Sequence, residues 1–278
     1  MDKYIDIKKN IIEYANHDID IKAIVAIGST TRIDVKADEF SDLDLIIATE
    51  NPTKWLKGEY PEKIGYVNIS FIEPAIGGGK ERRLIYDEDK DIDMIIFTPV
   101  QFENSIKTGV TQMVMNRGYE IMYDSGGFTE LIKQYVSNVH SNPKMSEEEY
   151  LNLVNDFYFH NIWACKKLKR GEIWAAKMCV DAYLKNCLLK MAELYCFYQN
   201  GVDVWHDGRF FDQWAGDDIS GKLKSCFAHY DKEDIWNALI ATHRLFDSIA
   251  KVVAEILEYD YPLETEKFAE RYIQIKSD

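Results

Sequence analysis

The 278-residue sequence has no apolar stretch approaching the roughly 18 to 20 residues that a membrane-crossing helix needs, so a helical membrane protein is excluded. Its first residues, MDKYIDIKKNIIEYANHD, are charged throughout and lack the apolar centre of a signal peptide, which makes a cytoplasmic protein the expectation. Positive charge is in deficit: 33 Lys and Arg face 47 Asp and Glu, for a formal net charge of −14. A field of that sign repels nucleic-acid phosphates and steers cationic partners inward, and no local basic patch offsets it. Neither nucleic acid nor a membrane is therefore an expected partner. The five cysteines (Cys165, Cys179, Cys187, Cys196 and Cys226) are odd in number, show no C-x-x-C spacing and sit among apolar residues. They read as reduced core residues, not as zinc ligands or disulfides. No histidines stand at H-x-x-x-H spacing. The stretch PAIGGGKER fails as a phosphate-binding P-loop, with Pro74 where glycine is required and Glu81 where Ser or Thr is required. Gly77 to Gly79 are instead expected to form a flexible loop between strands, mobile over the active site.

What the sequence does contain changes character near its middle. The first half has an amphipathic segment near 5–15 and short β-branched runs at 21–28, 43–49, 64–73, 82–87 and 91–97, each bounded by Gly, Pro, Asn or Asp. A helix is expected to begin beside Pro99. From SNVHSNPKMSEEEY onward, Asn142-Pro143 favours a break and Ser146 with Glu149 has capping-box spacing. Helical periodicity follows at about 147–169, 172–199, 231–258 and 263–275. The expectation is an α+β chain: a mixed sheet of about five strands with flanking helices over 1–140, then a helical bundle over 141–278.

The chemistry concentrates in GSTTRIDVKADEFSDLDL, residues 28–45. Residues i and i+2 of a strand point the same way, so Asp42 and Asp44 project together while Leu43 and Leu45 pack behind them. Paired carboxylates repel unless a cation lies between them, and Mg²⁺ suits an all-oxygen site that also takes substrate phosphates. DIDMIIF places Asp91 and Asp93 at the start of another strand. A carboxylate from there would complete a metal site or accept a proton from a nucleophilic hydroxyl. Gly28-Ser29 closes the preceding strand, where glycine admits a phosphate and serine offers its amide and hydroxyl. This is the layout for holding Mg-nucleotide for phosphoryl-type transfer.

GS, followed after twelve residues by DLD and later by a strand aspartate, resembles the nucleotidyltransferase superfamily of polymerase-β type. GSTTRIDVKADEFSDLD is similar to the motif stretch of the aminoglycoside 6-adenylyltransferases, the streptomycin-modifying enzymes. NDFYFHNIWACKKLKRGEI, DGRFFDQW and HRLFDSIAKVVAEILEYDYP resemble that family's helical domain in order and spacing, and the likeness is looser from about 50 to 140. The resemblance implies a nucleotidyltransferase domain followed by a helical substrate-binding domain. It makes Asp42 and Asp44 Mg²⁺ ligands with Asp93 as third carboxylate, and gives Gly28 and Ser29 to the triphosphate. Arg209 falls where the family has a lysine and is implied as a phosphate contact; Lys251 matches a lysine of the family's last-helix motif. The family has arginine directly after Gly-Ser, where this chain has Thr30, with Arg32 two positions on.

The implied reaction is attack of an acceptor hydroxyl on the α-phosphorus of ATP, with loss of pyrophosphate. The implied acceptor is a cationic, streptomycin-like aminoglycoside, drawn to an acidic cleft whose candidate walls include Asp156, Glu172, Asp181 and Trp174. Two alternatives stand beside it: the same chemistry on a lincosamide or a protein side chain, and a non-catalytic nucleotide-binding homologue with a regulatory role.

Overall fold

The computed structural model describes residues 3–32, 36–87, 89–137, 144–204 and 206–274. The chain divides into two compact units, Met1–Ser141 and Asn142–Asp278. The expected break at Asn142-Pro143 lies outside the described residues.

The first unit is built on six strands: β1 (Ile21–Ile27), β2 (Leu43–Thr49), β3 (Val67–Pro74), β4 (Lys80–Tyr86), β5 (Lys90–Phe97) and β6 (Glu120–Asp124). They lie in the order β3-β4-β5-β2-β1-β6. β2 and β5 run parallel, and every other neighbouring pair is antiparallel. Central position explains composition: IKAIVAI and LDLIIAT are apolar almost throughout because both faces of β1 and β2 are covered. On one face, Ile7, Ile11 and Ala15 of α1 (Ile5–His17) join Trp55 and Ile64 against Leu43, Leu45, Ile47 and Met94. On the other, Phe102 and Ile106 of α2 (Pro99–Lys107) and Phe128 and Ile132 of α3 (Phe128–Tyr135) cover Val25, Ile46, Ala48 and Phe97. Asp44 shares this second face with Ile46 and Ala48, because side chains alternate along a strand.

The expected helix at Pro99 is present, and its capping box is complete: Gln101 N donates to Thr98 Oγ1 (3.2 Å) and Thr98 N to Gln101 Oε1 (2.9 Å). Some details differ from the sequence reading. A sixth strand, β6, pairs with β1 at the sheet edge. Ile64, read as strand, ends a short helix, Tyr60–Ile64, whose first turn is preset by Pro61; β3 begins only at Val67. β3 is the opposite edge strand and is exposed along most of its length.

The second unit is helical. α4 (Glu147–Lys169) opens on the expected capping box, with Ser146 N donating to Glu149 Oε2 (2.8 Å) and Glu149 N to Ser146 Oγ (3.3 Å). α5 (Leu184–Asn200), α6 (Lys232–Leu257) and α7 (Leu263–Gln274) follow, with shorter helical turns between them. The single helix expected over 172–199 is divided: Ile173–Met178 passes into α5 through a π-helical turn at Cys179–Tyr183. Phe157 stacks on Phe246 with ring centroids 3.7 Å apart at the centre of the bundle. All five cysteines are free and buried. No helix among the described residues is long and apolar enough to cross a membrane.

Candidate active site

Three carboxylates meet where β2 and β5 begin. The parallel register sets Asp44 beside Asp93, and Asp42 stands just before β2. One oxygen from each of Asp42, Asp44 and Asp93 lies within 4.8 Å of the other two. Full charges at that separation repel by about 3 kcal/mol per pair at the effective dielectric of a protein surface. The donor set, three carboxylate oxygens and no nitrogen or sulfur, suits a hard divalent cation such as Mg²⁺.

The turn after β1 is shaped around this cluster. Ile27 pairs with Asp44 across the β1–β2 ladder, and Gly28–Thr30 then forms one 3₁₀ turn. Gly28 has φ +71°, and a Cβ there would lie 1.9 Å from Asp44 Oδ2, so backbone conformation and space both require glycine. Ser29 Oγ is within reach of the Asp42 carbonyl (3.1 Å) and of Asp42 Oδ1 (3.2 Å). Thr31 Oγ1 lies 3.1 Å from the carbonyls of both Gly28 and Gly118, fixing the turn to the chain entering β6. Thr30 Oγ1 is buried and has no hydrogen-bond partner among the described residues.

Asp93 is 9% exposed, and among the described residues it is ion-paired with Arg83, directly across the β4–β5 ladder. Arg83 Nη1 lies 3.3 Å from Asp93 Oδ2, while Nε is 2.6 Å from Glu73 Oε1 and 3.4 Å from Glu81 Oε1. Burial pushes the Asp93 carboxyl above the usual range; Arg83 pulls against that shift, and the charges of Asp42 and Asp91 add to it. Glu81 is likewise raised, by burial first. A cleft of about 210 Å³ opens beside the cluster, with Asp42, Asp91, Asp93 and Arg83 along one side and Ile69 and Phe71 along the other.

Arg83 was not singled out from the sequence. The signal is the hairpin: pairing RRLIYD against DIDMIIF across a short turn sets Arg83 opposite Asp93. The Gly77–Gly79 loop is not poised over the carboxylates. It turns at the Lys80–Ile96 end of the β4–β5 ladder, of which Arg83–Asp93 is the central pair, and a Cβ on Gly79 would lie 2.7 Å from the Phe97 ring. Gln101 of α2 also donates to the Gly78 carbonyl (3.3 Å), so the turn is fastened to the sheet core and α2.

The remaining sequence candidates belong to the helical unit. Arg209 is exposed, and its carbonyl accepts from Trp214 Nε1 (2.7 Å). Lys251 is held between Asp247 Oδ2 and Glu266 Oε1, 3.0 Å from each, over the Tyr261 ring. Of the candidate acidic walls, Glu172 is paired with Lys167 and Arg170, and Asp181 with Lys177. Asp156 accepts from Tyr183 Oη (2.8 Å) and faces His160 Nδ1 at 2.7 Å. Trp174 is exposed beside Tyr230.

Residues 1–275 match the family described as streptomycin adenylyltransferase. Three curated relatives are aminoglycoside 6-adenylyltransferases. That of Bacillus subtilis (strain 168) is 19% identical over 90% of this chain and 90% of its own. Those of Campylobacter jejuni and Staphylococcus aureus are 20% and 22% identical, covering 96% and 95% of this chain and 93% and 95% of theirs. A crystal structure of an aminoglycoside 6-adenyltransferase from Bacillus subtilis aligns over 98% of this chain and 96% of its own, at 17% identity and a TM-score of 0.47. With the match running through both units and across the Gly-Ser turn and the aspartates, the chain belongs to the streptomycin adenylyltransferase family and is a nucleotidyltransferase.

Proposed function

We propose that the enzyme transfers the adenylyl group of ATP to a hydroxyl of a streptomycin-like aminoglycoside, with Mg²⁺ held by Asp42, Asp44 and Asp93. The observation that carries this reading is the convergence of those three carboxylates beside the Gly28–Thr30 turn. The new bond joins the acceptor oxygen to the α-phosphorus, the bond to pyrophosphate breaks, and the hydroxyl proton passes to a carboxylate of the site. Mg²⁺ bound there would neutralise the triphosphate and the charge developing on the attacking and leaving oxygens.

The chain's own groups bind and orient. Gly28 leaves room for the Asp44 carboxylate against the turn, and Ser29 braces Asp42 while its amide remains at the turn. The unpartnered Thr30 hydroxyl supplies a donor where the family has arginine. Asp93, raised by burial and lining the cleft, is suited to take the hydroxyl proton. Arg209 is exposed and has no ion pair with a described residue, so it is available to meet a phosphate. Lys251 would first have to leave Asp247 and Glu266. The net charge of −14 favours a polycationic acceptor, and the biological reading is antibiotic resistance exercised in the cytoplasm, where ATP is available.

The test is incubation of purified protein with ATP, Mg²⁺ and a panel of aminoglycosides and lincosamides. Pyrophosphate release is followed, and products are weighed for one added adenylyl group. Adenylylated streptomycin is expected. Modification of a lincosamide alone would move the acceptor class, and nucleotide binding without transfer to anything would leave a regulatory homologue.

A further inference from the structure

Successive registers draw a line across the sheet: Ile27 faces Asp44, Asp44 faces Asp93, Asp93 faces Arg83, and Arg83 faces Phe71. The Gly28–Ser29 turn lies at the β1 end of this row. Phe71 lies two strands beyond Asp93, roughly 10 Å at ordinary strand spacing. Displacement at phosphorus needs the attacking oxygen opposite the leaving one. With the leaving phosphates at the β1 turn, the attacking hydroxyl enters from the β4–β3 side, where the cleft opens.

The cleft's lining fits such a visitor. Asp91 stands two residues before Asp93 on the same face, is exposed, lies outside the three-carboxylate cluster and has no ion pair with a described residue. Arg83, the one cation among the lining residues, is already shared by Glu73, Glu81 and Asp93. Once a metal engages Asp42 and Asp93, Asp91 still presents free negative charge. Opposite it, Ile69 and Phe71 are 57% and 52% exposed on an edge strand, an apolar platform beside a carboxylate. A cationic group attached to a saturated ring satisfies both walls, through Asp91 and through the ring face and π-face of Phe71. At about 210 Å³ the cleft is smaller than the roughly 300–1,000 Å³ that encloses a whole drug-sized ligand, so it takes one ring with its substituents.

We propose that this cleft is the acceptor subsite, in which Asp91 binds a cationic substituent of an amino- or guanidino-sugar and Phe71 with Ile69 seats its ring. The assignment rests on the adenylyl transfer proposed above and names where its acceptor binds.

Asp91→Asn, Asp91→Glu and Phe71→Ala are compared with wild type by steady-state kinetics in ATP and streptomycin, and by calorimetric titration of streptomycin into ATP-free protein. Asp91→Asn is expected to raise the streptomycin KM and Kd about tenfold, and Phe71→Ala about threefold, with the ATP KM within about twofold of wild type. Asp91→Glu restores most of the affinity. Added salt weakens streptomycin binding in wild type more steeply than in Asp91→Asn, an effect that a purely structural role for Asp91 would not produce. Unchanged streptomycin affinity in both variants, or a rise in the ATP KM instead, overturns the assignment while wild-type turnover still upholds the transfer. A wild type that modifies no aminoglycoside removes the transfer itself, and the subsite with it.

Discussion

Both units of the chain gather acidic side chains, and they treat them oppositely. In the helical unit, Asp247 and Glu266 close on Lys251, and the Tyr158 and Tyr261 hydroxyls donate to Asp247 Oδ1 (3.2 and 2.7 Å). In the sheet unit, Asp42, Asp44 and Asp93 converge with Asp91 and Glu81 close by, and Arg83 pairs with Asp93 and Glu81. In the first, one ammonium and two tyrosine hydroxyls stand against two carboxylates. The second sets one oxygen from each of three carboxylates within 4.8 Å of the others, and close like charges held in place by sheet register suit a ligand that brings positive charge.

The largest expected effect tests that surplus directly. Asp42→Asn is exposed to little packing loss, so it should lower adenylyl transfer by about a thousandfold or more while the Mg²⁺-free protein melts no lower than wild type. Unchanged turnover would sink the metal-site assignment. Next, Mg²⁺ near a hundred times its Kd should stabilise wild type by about 2.7 kcal/mol, read as a rise of several degrees in melting temperature. The gain should vanish in Asp44→Asn, and an equal gain there would place the cation elsewhere.

A carboxylate that the sheet unit does satisfy gives the third comparison. Asp124 accepts from the amides of Gly126, Gly127, Phe128 and Thr129 at 2.8 to 3.1 Å and so caps α3. Burial opposes its charge, but the bonds from Thr129, Phe128 and Gly126 outweigh that and hold the carboxyl below its usual range. Asp124→Ala should cost about 1–2 kcal/mol at neutral pH. Because the folded-state pKa is depressed, the contribution is present above the unfolded value near 3.9 and lost as pH falls through the folded one. Denaturant melts of the two proteins should therefore draw together below about pH 4; a gap that stays constant into acid would refute the capping account. Smallest is Lys251→Met, which should cost the helical unit about 1 kcal/mol by stranding Asp247 and Glu266, with the ATP KM unchanged. A higher ATP KM at unchanged stability would return Lys251 to the nucleotide.

Much of this was legible in the residues, for identifiable reasons. The central strands carry dense β-branched runs because they are covered on both faces, and the D-x-D spacing translates directly into a shared face. β6 escaped because it is a five-residue edge strand without fully buried positions, although Gly118 and Gly126-Gly127 bracket it. α3 escaped because its cap is Asp124, four residues upstream of Phe128, across a glycine pair and not at the usual position. The π-helical turn at Cys179–Tyr183 adds one residue to a turn without a Gly or Pro to mark it, so the apolar run reads on as one helix. Arg83 and Phe71 enter the site through register between strands, and register is a tertiary property that no single segment encodes.

The parallel pairing of β2 with β5 has a consequence for how such an enzyme can change its clientele. A parallel neighbour demands a crossover, and here the crossover from Thr49 to Lys90 contains the whole β3–β4 hairpin. The wall carrying Ile69 and Phe71 is thus spliced between the two strands that carry Asp44 and Asp93. On the proposed acceptor subsite, substitutions or changes of length within the hairpin would redraw that wall while the ladder holding the carboxylates in step is left alone, so acceptor range and transfer chemistry could drift independently within one sheet.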